Sequence, residues 1–273
     1  MLLFSKKEVF RLPFLPLDAR LMRLQATITG TGPDVVLLHG LFGSGRNLGV
    51  IARGLAGRFR VIALDARNHG ASGHAADMRY ATMAADVAET MAALGVGRAR
   101  VVGHSMGGKI AMMLALVDPA LVERLAVLDI APVAYGHEHD LFVASMRGLA
   151  LSPDLTRQQA DAALAGAIPD PALRGFLLHN LVLGAAPRWR LGLDEIAGAM
   201  GDLVSWPEGL SGSYQGGALF LRGALSSYVP ESAYGAIRRY FPAAVIETIE
   251  ETGHWLHAEK PQAVVAALEG FLG

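Results

Sequence analysis

The heptapeptide Val102-Gly103-His104-Ser105-Met106-Gly107-Gly108 sets one serine between small residues where one apolar run stops and another starts. Its centre, GHSMG, has the G-x-S-x-G form of a nucleophile elbow, a sharp strand-to-helix turn that lifts a hydroxyl into a cleft. Glycines 103 and 107 leave room for such a turn, in which Ser105 takes a positive φ with a helix N-terminus behind its oxygen. The chemistry this serves is nucleophilic attack through a covalent intermediate.

A serine hydroxyl is a weak nucleophile at neutral pH, so it needs a base, and the base needs a group to hold its tautomer. Among nine histidines, the chain order Ser, acid, His selects His254 in TGHWLHAEKP, with His257 the nearby competitor assigned to structure. In the order Ser, acid, His the acid lies between 105 and 254, yet the apolar run LFLRG is followed by ALSSYVP, with Ser226 and Ser227 where a carboxylate would be wanted. The preceding run ends RLAVLDIAP, and Asp129 at its carboxyl end is the expected acid. Glu250 and Glu251 are alternatives that sit too close to His254 in sequence to orient it comfortably. Acyl transfer also needs donors aimed at a developing oxyanion. The glycine-rich HGLFGSG (39–45) supplies one from the backbone N–H of Leu41, or of Phe42, to pair with that of Met106. The same glycines lack the spacing of a phosphate-binding loop.

Further residues are candidates for substrate contact. Gly136-His137-Glu138-His139-Asp140 superficially resembles a metal cluster, but without an HExxH helix or a distant third ligand it reads as a polar hinge, with His137 and His139 near the substrate. Phe142 and Met146 follow at helical spacing and are expected to line an acyl pocket, together with Phe42, Tyr228 and Trp255. No metal and no cofactor are expected.

These residues need a scaffold, and the apolar pattern describes one. DVVLLHG (34–40), FRVIALD (59–65), ARVVGHS (99–105), RLAVLDI (124–130) and ALFLRG (218–223) lack polar alternation, as strands do when both faces are buried. Helical spacing lies between them, as in Met83, Val87, Met91, Leu94 and in Ile110, Met113, Leu114, Val117. The pattern predicts an α/β fold with a mostly parallel sheet, a last strand near 243–250 and a closing helix after Pro261. Residues 136–215 break the rhythm. They read as an all-helical insertion after the strand ending near Ile130, with a capping box at Thr156–Gln159 and a helix start at Pro171, and are expected to form a lid over the carboxyl ends of the strands. The expected organisation is an N-terminal extension (1–20), a core (21–135 and 216–273) and the cap (136–215).

Composition bounds the function. Hydrophobic residues make up 52% of the 273 and charged residues 18%, which suits one well-packed domain. Lys plus Arg (24) and Asp plus Glu (25) nearly cancel without long runs, so no nucleic-acid or anionic-lipid footprint is expected. Absence of cysteine excludes disulfides, thiolate metal sites and a cysteine nucleophile. The apolar start MLLFSKKEV is broken by Lys6 and Lys7 too early for a signal peptide, and no apolar run is long enough to span a bilayer, so a cytoplasmic location is expected.

From Leu21 to Leu272 the chain resembles the α/β-hydrolase fold and, more narrowly, the small bacterial YbfF-type esterases. The resemblance rests on HGLFGS, NLGVIARGL, LDARNHGAS, VGHSMGGKIAM, LDIAPVAY, RGALSSYV and GHWLHAEKP. It implies a helical-capped serine esterase without a cofactor, acting on small-molecule acyl esters and acyl-CoA thioesters, with Ser105 as nucleophile, His254 as base and the acid at Asp129. The first twenty residues and the cap sequence (Leu149 to Gly216) depart from the family pattern, which leaves the substrate open. Competing functions are carbon–carbon bond hydrolysis on the same scaffold and a non-catalytic ligand receptor.

Overall fold

The computed structural model describes residues 20–136 and 139–273. The N-terminal extension therefore lies almost wholly outside the described residues. The first half contains β1 (Ala26–Thr29), β2 (Asp34–Leu38), α1 (Gly49–Leu55), β3 (Arg60–Leu64), α2 (Tyr80–Ala93), β4 (Ala99–His104), α3 (Met106–Val117) and β5 (Val122–Leu128). Then come α4 (His139–Gly148), α5 (Arg157–Leu164), α6 (Pro171–Leu178), β6 (Leu181–Val182), β7 (Arg188–Trp189), α7 (Leu193–Gly198) and α8 (Met200–Val204). The chain closes with β8 (Ala218–Gly223), α9 (Tyr234–Tyr240), β9 (Ala244–Ile249), α10 (Leu256–Glu259) and α11 (Pro261–Leu272).

Seven strands form one sheet in the order β1-β3-β2-β4-β5-β8-β9, parallel except for β1, which runs antiparallel to β3. All five unalternated apolar runs became its inner strands. Side chains alternate across the pleat: Val36, Leu38, Val101, Val127 and Phe220 enter one core with α2 and α3, whereas Val35, Leu37, Val102, Leu128 and Leu221 enter the other with α1 and α11. Both faces are covered, so neither needed polar residues. β1 carried no such signal because it is an edge strand with three of its four residues exposed.

The segment between β5 and β8 holds α4 to α8 but is not all-helical. Leu181–Val182 and Arg188–Trp189 pair antiparallel as a short hairpin, too brief for a periodic signature and marked in sequence only by Gly184 and Pro187 in its turn. Both expected helix starts stand. Thr156 accepts the Gln159 N–H at 3.2 Å while its own N–H donates to Gln159 Oε1 at 2.9 Å, and Asp170 caps the helix that opens at Pro171. The segment is tied to α3 by Lys109, whose buried Nζ donates to the Ser205 carbonyl at 2.6 Å. Burial lowers that ammonium's pKa to about 7. Among the described residues no helix is long and apolar enough to cross a membrane.

Candidate active site

Ser105 links β4 to α3 with φ 53° and ψ −120°, a left-handed φ that few non-glycine residues adopt. The turn is tight enough to demand its glycines. A Cβ on Gly103 would lie 2.2 Å from the Gly107 carbonyl oxygen, and one on Gly107 would lie 2.2 Å from that of Leu38. The Ser105 N–H is held by the Leu128 carbonyl at 3.0 Å, and its Oγ stands at the N-terminus of the twelve-residue α3.

Three residues distant in sequence meet here. His254 Nε2 lies 3.0 Å from Ser105 Oγ, and His254 Nδ1 lies 2.8 Å from Asp129 Oδ2. Asp129 follows β5, which neighbours the elbow strand in the sheet, so its carboxylate reaches beneath the loop after β9. That carboxylate is fully buried but well supplied with donors: the Gly223 N–H donates to Oδ1 at 2.9 Å, and the Ser226 hydroxyl donates to Oδ2. Ser226 was legible in sequence only as the place where a carboxylate was missing; the structure turns it towards the carboxylate that arrives from β5. Glu251, by contrast, is exposed and paired with Lys260 at 2.5 Å, and Glu250 is exposed, so neither approaches His254 Nδ1.

The backbone of His254 is held as well. Its carbonyl accepts from His104 Nε2 at 2.9 Å, which leaves the His104 ring buried between His254 and His257. Tyr228 stacks on the His254 ring at 3.9 Å and 20°. His257 sits in α10, packed against His104, and also borders the cavity that opens on Ser105.

The loop 39–45 is braced by two buried histidines. His39 Nδ1–H donates to the Gly40 carbonyl at 2.8 Å while Nε2 accepts the Ala66 N–H at 3.0 Å; the Gly43 N–H also reaches the Gly40 oxygen, at 2.9 Å. Across a trans peptide the Leu41 N–H points opposite to that oxygen, away from the loop. The Phe42 N–H is already engaged, donating to His69 Nε2 at 3.2 Å, so of the two expected donors Leu41 is the one available. Met106, as the first residue of α3, has no carbonyl four residues back within the helix for its N–H. Beneath this loop LDARNHGAS acts as scaffold: Asp65 accepts the N–H groups of Gly45 and Ala71 at 2.7 and 2.8 Å, and Arg67 forms a buried two-pronged pair with Asp86 at 2.6 and 2.8 Å.

Burial keeps these supporting histidines neutral. It pushes His69 down to about 3, with His39 nearby adding to the shift, and His257 down to about 4, with His254 adding. His39 and His104 are lowered in the same direction, chiefly by burial. In the unfolded chain each takes up a proton near pH 6.5, earlier than in the fold, so stability is complete above that pH and falls as acid is added towards about pH 4. Each such histidine contributes a slope of up to about 1.4 kcal/mol per pH unit. Denaturant unfolding from about pH 7 to about pH 5 is therefore expected to show a loss of at least ~2 kcal/mol, and a flat series would contradict the neutral assignment.

A cavity of about 240 Å³ opens on Ser105 and His254. The substrate-contact candidates Phe42, His139, Phe142, Tyr228 and Trp255 line it together with Leu41, and Leu48, Leu173 and Phe176 are apolar additions. Leu173 and Phe176 lie three apart on α6 and Leu48 immediately precedes α1, so no single motif joins the three in sequence. Met146 corrects the expectation. It is fully buried and absent from the cavity wall, because α4 turns it into the core, where the Trp189 indole N–H donates to its carbonyl at 3.0 Å. His137 lies outside the described residues. Among the described residues no group of three histidine or carboxylate side chains is arranged to hold a metal.

Comparison with known proteins agrees with this architecture. The family model of the alpha/beta hydrolase fold matches residues 33–261. The chain is 40% identical over 267 residues to the sn-1-specific diacylglycerol lipase ABHD11 of Mus musculus, covering 94% of this chain and 85% of that one. It is 37% identical over 239 residues to esterase YbfF of Escherichia coli (strain K12), covering 87% and 92%. The solved structure of a marine microorganism esterase superposes with a TM-score of 0.89 at 35% identity, covering 92% of this chain and 99% of that one. By fold and by relatives alike, this chain belongs to the α/β hydrolase fold family and is a hydrolytic enzyme of the esterase and lipase kind.

Proposed function

We propose that this protein hydrolyses carboxylic esters of small to medium acyl chains, and thioesters of similar size, through an acyl-enzyme on Ser105. The observation that carries the reading is the unbroken hydrogen-bond line Ser105 Oγ, His254, Asp129, at 3.0 and 2.8 Å. As the Ser105 oxygen attacks the ester carbonyl, His254 Nε2 takes its proton, and the buried Asp129 carboxylate holds the imidazolium that forms. The carbonyl oxygen becomes an oxyanion facing the N–H groups of Leu41 and Met106. Collapse breaks the bond to the leaving alcohol, which receives the proton from His254. Water, deprotonated by the same nitrogen, then releases the acid and restores Ser105.

In this reading the segment from α4 to α8 is the cap. His139, Phe142, Leu173 and Phe176 come from it and face the strand-end loops across the cavity, so a chain seated there is surrounded mainly by apolar side chains. The diacylglycerol lipase and esterase named among the relatives both cleave acyl esters by their names, which supports the same bond as target. The test is a series of p-nitrophenyl esters from acetate to palmitate. Saturable turnover on short and medium chains, declining at palmitate as the acyl group outgrows a 240 Å³ cavity, is the expected result. No turnover above the uncatalysed rate at any length would overturn the proposal.

A further inference from the structure

Phe42 is bulky yet has φ 62°, in the left-handed region. Such a residue persists there only when its surroundings over-determine it. One restraint is the bond from its N–H to His69 Nε2. The other comes from the inserted segment: Asn180, between α6 and β6, donates from Nδ2 to the Phe42 carbonyl at 2.8 Å. Asn180 is buried, and the same Nδ2 also donates to the Leu177 carbonyl at 3.2 Å. Both neighbours are acceptors, so the amide nitrogen must face them.

That bond begins a line that ends at the reacting site. The Phe42 carbonyl and the Gly43 N–H belong to one peptide plane, and the Gly43 N–H donates to the Gly40 oxygen at 2.9 Å. The Gly40 carbonyl and the Leu41 N–H belong to the next plane. Two rigid planes joined by hydrogen bonds thus run from a cap side chain to the donor assigned to the oxyanion, and each bond polarises the next. We propose that Asn180 is a positioning residue of the hydrolytic reaction, which aims and polarises the Leu41 N–H through the Phe42–Gly43 peptide and so makes a complete oxyanion hole depend on a seated cap. This rests on the proposed ester hydrolysis at Ser105.

Removal of an oxyanion donor typically costs 10²–10³ in turnover. His39 still holds the Gly40 oxygen when Asn180 is lost, so a smaller effect, about tenfold in kcat, is expected. Asn180→Leu keeps the approximate volume without a donor, and Asn180→Asp keeps the shape with acceptors only; either reads the same bond if the other folds poorly. Rates are normalised to the fraction of enzyme that a fluorophosphonate labels, which removes misfolded protein from the comparison. The expected result is kcat lower by about tenfold, KM within about twofold, and affinity for an aryl trifluoromethyl ketone, whose serine adduct carries an oxyanion, weakened in parallel with kcat. Unchanged normalised kcat, a loss confined to KM, or unchanged ketone affinity would overturn the positioning role, leaving Asn180 a cap anchor. Wild-type protein that neither labels nor turns over esters would instead overturn the underlying reading of Ser105.

Discussion

Ser105→Ala is expected to lower kcat on a short p-nitrophenyl ester by roughly 10⁴- to 10⁶-fold while KM stays within a few-fold. The variant deletes one atom, the Oγ that lies 3.0 Å from His254 Nε2, and among the described residues no other hydroxyl bonds to that nitrogen. The elbow should survive. Alanine keeps the Cβ, and the backbone at 105 stays fixed by the N–H bond to Leu128 and by contacts that admit only glycine at 103 and 107. What remains is slow attack by water, helped by the Leu41 and Met106 N–H groups and by substrate binding. A variant that turns over within tenfold of wild type would remove Ser105 from the chemistry.

The second large effect is Asp129→Asn, for which a fall of about 10⁴ in kcat is expected. Asparagine has the same shape, tolerates the left-handed backbone found at this position (φ 52°), and can still accept the Gly223 N–H, so the fold should be retained. The amide, however, turns an N–H towards His254 Nδ1. The imidazole must then accept there and carry its proton on Nε2, where it faces Ser105 as a donor and cannot act as base. The buried negative charge that stabilises the imidazolium is lost at the same time. Glu251→Gln is expected to leave turnover near wild type, since Glu251 is exposed and bound to Lys260. The reverse pattern, an active Asp129→Asn and an inactive Glu251→Gln, would transfer the acid to the loop before His254.

Much of this is legible in the amino-acid sequence. The inner strands show as unbroken apolar runs because helices cover both sheet faces, and GHSMG shows its strand-to-helix geometry because a turn this tight admits few residue types. Asp129 was readable because β5 ends beside the elbow strand, which places a carboxylate at the right depth whatever its sequence distance from His254. Other features had no local signature. β1 is an exposed edge strand, and the β6–β7 hairpin has two residues on each side. Met146 shares helical spacing with Phe142, but spacing gives a face and not what the face meets; α4 presents Phe142 to the cavity and Met146 to the core. Ser226 and Asn180 act through single long-range hydrogen bonds, spanning 97 and 138 residues, and such bonds follow only from the assembled fold.

The central claim is that Ser105 forms a covalent intermediate, and the most direct measurement is the site of modification after treatment with a fluorophosphonate. One adduct per chain is predicted, on the peptide that contains Ser105, blocking ester turnover in proportion to its formation and absent from Ser105→Ala. A stoichiometric adduct on another residue, or full ester turnover by protein labelled at Ser105, would contradict the account.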